Sequence, residues 1–419
     1  RLGCSAAFGT TLVVVSTLAG VAQAQSSATA EAQPQTVDAA RGPVTGSTRR
    51  VGLGGAFVAI ADDTDGVAVN PASSGVRLPY SWSDWDYGVG VDVAVGAWLP
   101  KNDFYNQQNT QAPKKAGQST ALFGSLALLV NYRQLGLGIS AEALRNSASQ
   151  GDQGIGTNFA ANYGLVHANL AYGFLDGQLL FGAGPRLVGL SFLGNSGSSG
   201  LLRTAGAGYE AGVIVKPTGQ YRLAAAAKSS IKAKLPGAAG APDSTVLVPW
   251  EVALGFAYQF GARPFNPRLQ TAKELARQSS TGEPTRAEIK RAEDELYRDY
   301  EQSRRFYLLV GSELSVIQGG GPVGLTGEEA MDRPVISPRV GVESEVVPRH
   351  FRLRAGSYYE PARIAGTRSR VHGTGGFDVK LFRWNIFGLL APFDYWQLSL
   401  GADAARLYLN TSLSLGFWH

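Results

Sequence analysis

The chain has 419 residues, of which 53 are glycine and 17 % are charged, and it carries a formal charge of +5. Average proteins hold roughly 7 % glycine and about 25 % charged residues, so this composition suits many short strands and an exterior poorer in charge than a soluble surface. The positive charges are scattered, and their densest run is matched by acids, which excludes the clustered basic face of a nucleic-acid binder.

The first 24 residues read as a secretory signal peptide. "RLGCSAAFGTTLVVVSTLAGVAQAQ" has a basic start, an apolar run and the cleavage pattern Ala22-Gln23-Ala24. Leu2-Gly3-Cys4 precedes the apolar run rather than following it, so it is not read as a lipidation box. Cleavage after Ala24 removes the single Cys, leaving neither a disulfide framework nor a thiolate metal site. Residues 25–45, rich in Ala, Gln and Ser, read as a flexible mature N-terminus. Residues 46–78 are apolar and glycine-rich, then acidic at Asp62, Asp63 and Asp65. They are too short and too acidic to span lipid.

From residue 79 to 418 the pattern is period two over segments of about 10–16 residues, the signature of membrane-spanning strands. Trp250, Val252, Leu254, Phe256, Tyr258 and Phe260 share one face, and Glu251, Ala253, Gly255, Ala257 and Gln259 the other. Fourteen strands are expected, at 80–99, 120–132, 135–147, 157–174, 179–194, 202–216, 221–235, 248–262, 304–317, 335–347, 351–360, 369–385, 395–405 and 407–418. Short connections alternate with long ones, as in outer-membrane barrels, where the short turns are periplasmic. The fold class is therefore all-β: a 14-stranded antiparallel transmembrane barrel. Charge facing lipid costs about 2–4 kcal/mol at mid-membrane, so Lys228, Lys232, Lys234, Arg339, Glu343, Glu345, Arg352 and Arg354 are expected to face the lumen.

One segment breaks the β pattern. Residues 268–305 hold nine basic and eight acidic side chains. Asn266-Pro267 and the capping box Thr285-x-x-Glu288 predict two helix starts. A periplasmic helical hairpin over 264–304 follows, with Ile289, Ala292, Leu296 and Tyr300 on one stripe; Ile289, Leu296 and Tyr300 are candidates for docking a periplasmic protein partner. No enzyme motif, cofactor site or metal site emerges. Asp62-Asp63-x-Asp65-Gly66 lacks the bidentate Glu of a calcium loop, and His167, His350, His372 and His419 share no ligand spacing.

The stretch "STRRVGLGGAFVAIADDTDGVAVNPAS" resembles the N-terminal signature of FadL-type outer-membrane transporters and their PorV-like relatives. The resemblance implies a bacterial outer-membrane barrel plugged by an N-terminal hatch, with Gly54, Gly55, Ala56, Asp62, Asp63, Asn70, Pro71 and Ala72 at the hatch positions. It implies passive passage of hydrophobic small molecules, long-chain fatty acids or similar, and lateral exit at a kinked third strand, where Gly136 and Gly138 are the candidate kink residues. The alternative is a non-transporting PorV-like scaffold of a secretion or motility complex, docking periplasmic partners through residues 268–305.

Overall fold

The computed structural model describes residues 36–39, 42–77, 82–96, 103–104, 106, 118–150, 157–194, 202–217, 219–235, 243–266, 271–280, 282–302, 306–320, 323–324, 330–382 and 395–418. The expected signal peptide lies outside them. In chain order the strands are β1 (Thr36–Asp38), β2 (Trp85–Gly96), β3 (Gln118–Tyr132), β4 (Leu135–Gln150), β5 (Thr157–Phe174) and β6 (Leu179–Gly194). Then come β7 (Leu202–Val215), β8 (Tyr221–Lys228), β9 (Ile231–Leu235), β10 (Ser244–Val248), β11 (Glu251–Gly261) and β12 (Tyr307–Ile317). The last are β13 (Val323–Gly324), β14 (Val335–Val347), β15 (Phe351–Glu360), β16 (Arg370–Lys380), β17 (Tyr395–Ala405) and β18 (Tyr408–Trp418). Four helices, α1 (Thr48–Gly52), α2 (Asp63–Gly66), α3 (Ala272–Ser279) and α4 (Arg286–Gln302), complete the set.

Fourteen of the strands close into one antiparallel barrel, in which β18 pairs back onto β2 with Leu413 opposite Val93. Closure satisfies every ladder without a free edge, which a chain in hydrocarbon requires. The wall is inverted relative to a soluble protein. Along β14, Ile336, Val340 and Val346 are exposed, whereas Arg339, Glu343 and Glu345 are buried on the inner face. Val340 is 47 % exposed and Glu343 1 %. Burying the charges and exposing the β-branched residues is stable only if the outside is lipid. Aromatic pairs such as Trp85 with Tyr132 and Tyr172 with Phe174, with ring centroids 4.6 and 4.9 Å apart, cluster near the short-turn rim, where membrane interfaces favour them.

Four strands stand apart from the wall. β9 and β10 form an antiparallel pair, and β1 inserts parallel between β10 and β13. The expected seventh strand, 221–235, is thus two elements. The barrel strand stops at Lys228, where Ser229 bonds back to Tyr209 through backbone and hydroxyl, and β9 then folds inward. Ile231 lies against Gly206 and Gly208, whose missing side chains make room for it. Lys232 and Lys234 are consequently exposed on β9 and are not lumen charges of the wall, contrary to expectation. This small sheet packs at the long-loop end on inner-face residues that include Phe123, Leu144 and Leu190.

At the opposite end, α3 and α4 form the expected hairpin. α3 is capped by Thr271 with Glu274 in a reciprocal capping box, not from Asn266, which instead accepts from Arg222 and donates to the Tyr221 carbonyl. The second predicted box is present: Thr285 and Glu288 bond each other's backbone N–H. Ile289 and Leu296 turn toward α3 and pack with Ala272, Ala276, Ala292 and Trp82. The apolar stripe therefore closes the hairpin on itself and on the segment leading into β2. The side chain of Tyr300 lies outside the described residues.

The plugged lumen as candidate functional site

Residues 42–77 occupy the barrel interior with little regular structure of their own. Ser47 caps α1 by accepting from the Arg50 N–H, and Gly54 and Gly55, with φ of 62° and 76°, turn the chain back after it. Leu53, Phe57, Val58, Ile60 and Ala61 are fully buried. The Asn70-Pro71-Ala72 turn opens a 3-10 turn, Pro71–Gly75, in which Asn70 Oδ1 accepts from the Ala72 N–H.

A buried backbone without helix or sheet must find partners elsewhere, and here the wall supplies them. Glu313 accepts from the N–H groups of Phe57 and Val58 at 3.0 and 2.8 Å. Asp92 accepts from the Thr48 N–H and the Tyr358 hydroxyl from the Val44 N–H, each at 3.1 Å. In the other direction, Asn169 donates to the Val67 carbonyl, Lys228 to Ala68 and Asn131 to Ser74. Where the plug touches the wall most closely, the wall has no side chain. A Cβ on Gly136 would overlap the Ser74 carbonyl, one on Gly182 the Pro71 carbonyl, and one on Gly212 the Asn70 amide.

Gly136 and Gly138 therefore serve as seats for the plug. The β4 ladder runs without a register shift past both of them, on the β3 side and the β5 side alike.

The remaining wall is held by charge. Glu343 joins Arg49 of the plug and Arg354 of β15 at 2.8 and 2.6 Å, and Arg354 continues to Asp378. Arg49 also pairs with Asp62. Arg339 pairs with Glu313 at 2.7 Å, Arg352 lies 3.8 Å from Asp378, and Arg263 lies 3.7 Å from Glu345. A third cluster centres on His372, whose ring nitrogens meet Asp403 and Glu360, both at 2.7 Å. Tyr358 stacks on His372 with centroids 4.2 Å apart and donates to Asp403, so this cluster reaches the plug through the hydroxyl that receives the Val44 N–H.

Among the described residues, one cavity lies above the plug and another below it. The upper, of about 150 Å³, lies between the plug and the small sheet. One side is apolar, with Tyr163, Leu165, Val188, Val248 and Ile317; the other carries Arg50, Glu142, His167, Arg186, Lys228, Glu251 and Arg339. The lower, of about 100 Å³, opens at the short-turn end among Arg49, Asp62, Asp63, Asp65, Lys216, Arg222, Arg263 and Arg352. Lys216, in the turn after β7, has its ammonium pushed down to about 7 by burial and by neighbouring Arg222.

All the residues expected at the hatch positions fall in this lumen segment, and Lys228, Arg339, Glu343, Glu345, Arg352 and Arg354 fall on the inner side of the wall around it. The sequence reading missed Arg49 and Arg50, which stand in the quoted signature, and the trio Tyr358, His372 and Asp403. The inward parity of the trio was the one available signal. Among the described residues no group of three His, Cys, Asp or Glu side chains is placed to hold a metal ion.

No protein-family model matches the chain, and no curated protein matches it. Solved structures do. The chain is similar to a Pseudomonas aeruginosa FadL homologue, with TM-score 0.51 and 13 % identity, over 90 % of this chain and 98 % of that one. It is equally similar to the CymD monoaromatic hydrocarbon channel, with TM-score 0.51 and 13 % identity over 90 % and 97 %. The Pseudomonas putida toluene transporter TodX aligns with TM-score 0.50 and 13 % identity over 91 % and 99 %. The fold is thus FadL-type. With its apolar exterior and closed 14-strand wall, the chain is a bacterial outer-membrane barrel.

Proposed function

We propose that the protein is a passive conduit for hydrophobic small molecules across the outer membrane, with residues 42–77 as its hatch. The observation that carries this reading is the half-apolar upper cavity between the plug and the small sheet. Support comes also from the fold shared with a toluene transporter and a monoaromatic hydrocarbon channel. A molecule entering from the long-loop end would rest against Leu165, Val188 and Ile317 while the plug blocks the way down. Passage then requires the plug to shift toward the lower cavity, whose polar lining and nearby water can replace the hydrogen bonds that its acidic half gives up. No bond is made or broken in the cargo, and no cofactor is needed.

The scaffold alternative has weaker support, because Ile289 and Leu296, its expected docking contacts, are engaged within the hairpin. Locking the plug tests the transport reading. Ser74 Oγ sits where a Cβ on Gly138 would project, so the pair S74C and G138C is placed for a disulfide. In proteoliposomes, toluene flux should be present under reducing conditions and lost on oxidation. Equal flux in both states would rule out the plug as the gate, and no protein-dependent flux in either would sink the transport reading.

A further inference from the structure

Arg49 and Arg50 are consecutive residues on one short helix, yet they serve opposite sides of the plug. Arg49 lines the lower cavity and is fixed by Glu343 and Asp62. Arg50 lines the upper cavity, and its Nε is buried with no hydrogen-bond partner. The other cations around that cavity each hold at least one acceptor, although Arg363 Nε and Nη1 are also buried without one. Lys228 donates to the Ala68 carbonyl, Arg186 to the Ser229 carbonyl, Arg339 to Glu313 and Arg363 to Asp38. The carboxylates are engaged as well: Glu251 accepts from Ser315, and Glu360 meets Arg370 and His372.

The position of Arg50 is built rather than incidental. Gly46 has φ of 147°, and a Cβ there would press on Arg50 Cδ at 2.9 Å and Nη1 at 3.2 Å, so only glycine lets the arginine stem fold over this turn. A buried guanidinium N–H lacking an acceptor is costly unless a ligand supplies one. Opposite it stands the apolar wall of Tyr163, Leu165 and Val188. The volume is that of a single ring: an apolar cavity of about 150 Å³ in another protein holds benzene.

We infer that the upper cavity is a binding site for a compact monocarboxylate with an apolar body of about one aromatic ring, with Arg50 as its counter-ion. This inference rests on the transport reading above for its biological direction, but the binding itself does not.

The test compares benzoate with its neutral relatives benzyl alcohol and toluene, by titration calorimetry on the full chain in detergent. Benzoate should bind about 10-fold tighter than benzyl alcohol, as a charge-assisted hydrogen bond implies. Arg50→Gln should erase that preference, bringing benzoate to the affinity of benzyl alcohol. Gly46→Ala, which displaces the arginine without removing it, should weaken benzoate in the same direction. Equal affinity for benzoate and benzyl alcohol in the unmodified protein would overturn the inference, as would an Arg50→Gln protein that keeps the preference. Flux in proteoliposomes separates the two readings. Toluene flux without any benzoate preference leaves transport standing and removes this site. Arg50-dependent benzoate binding without flux of either compound does the reverse.

Discussion

Glycines seat the plug on both sides of the barrel, and the two sides differ in what they add to that contact. On the β4, β6 and β7 side, backbone meets backbone across glycines, and the wall offers amides from Asn131 and Asn169. On the β12 to β16 side, Gly341 and Gly356 seat Leu53 just as closely, and buried ion pairs are added: Glu343, Arg354 and Asp378 are linked and take in Arg49 of the plug, and Arg339 pairs with Glu313. The first arrangement is steric: it tolerates no added atom, but salt and pH leave it alone. The second is electrostatic, and removing any one member strands a charge. A plug seated this way is held by close backbone approach on both sides, with charge pairing added on one.

The largest expected effect is on the charged side. Glu343→Leu leaves Arg49 and Arg354 without their shared carboxylate, and breaking a buried pair by removing one partner costs about 3–5 kcal/mol. Urea unfolding in detergent should record that loss, together with faster proteolysis of the plug at Arg49 or Arg50. On the steric side, Gly136→Val drives a side chain into the Ser74 carbonyl, and overpacking costs about 1–3 kcal/mol. The plug should loosen at its 3-10 turn while the ion pairs across the lumen persist. Resistance of both variants to proteolysis would mean that the two grips are redundant, and the contrast would lose its force.

Smaller effects lie outside the lumen. Thr271→Ala removes the cap of α3, for about 1 kcal/mol. Its consequence should stay within the hairpin, read as earlier cleavage between α3 and α4 with an unchanged barrel melting point. The smallest concerns Lys216. Because its folded pKa is lowered to about 7, burying its charge weighs against folding in full below pH 7. That burden fades as pH rises from 7 toward the unfolded value of about 10.4, where only the unfolded chain still holds the proton. Lys216→Met should therefore raise the melting temperature more at pH 6 than at pH 9.

The wall was legible in the sequence because lipid and lumen impose opposite demands on alternate residues. Trp250 to Phe260 carries that alternation openly, and β11 places its inner and outer residues accordingly. The same rule misled at Ile231–Leu235, which alternates like its predecessor although it has left the wall. Only the serines at 229 and 230 hint at the break. Gly136 and Gly138 read equally well as a kink or as a seat, since a missing side chain does not say what fills the space. Arg50 was invisible because lacking a partner is a property of three-dimensional surroundings. Tyr358, His372 and Asp403 lie on three different strands, and nothing in any one of them announces the others.

The position of β1 has a consequence for how the molecule comes into being. Residues 36–38 lie between a strand at 244–248 and another at 323–324, so their partners are made long after they are. Contacts this distant along the chain make for slow folding. Assembly has to bring these distant segments together inside the ring that the pairing of β18 with β2 closes.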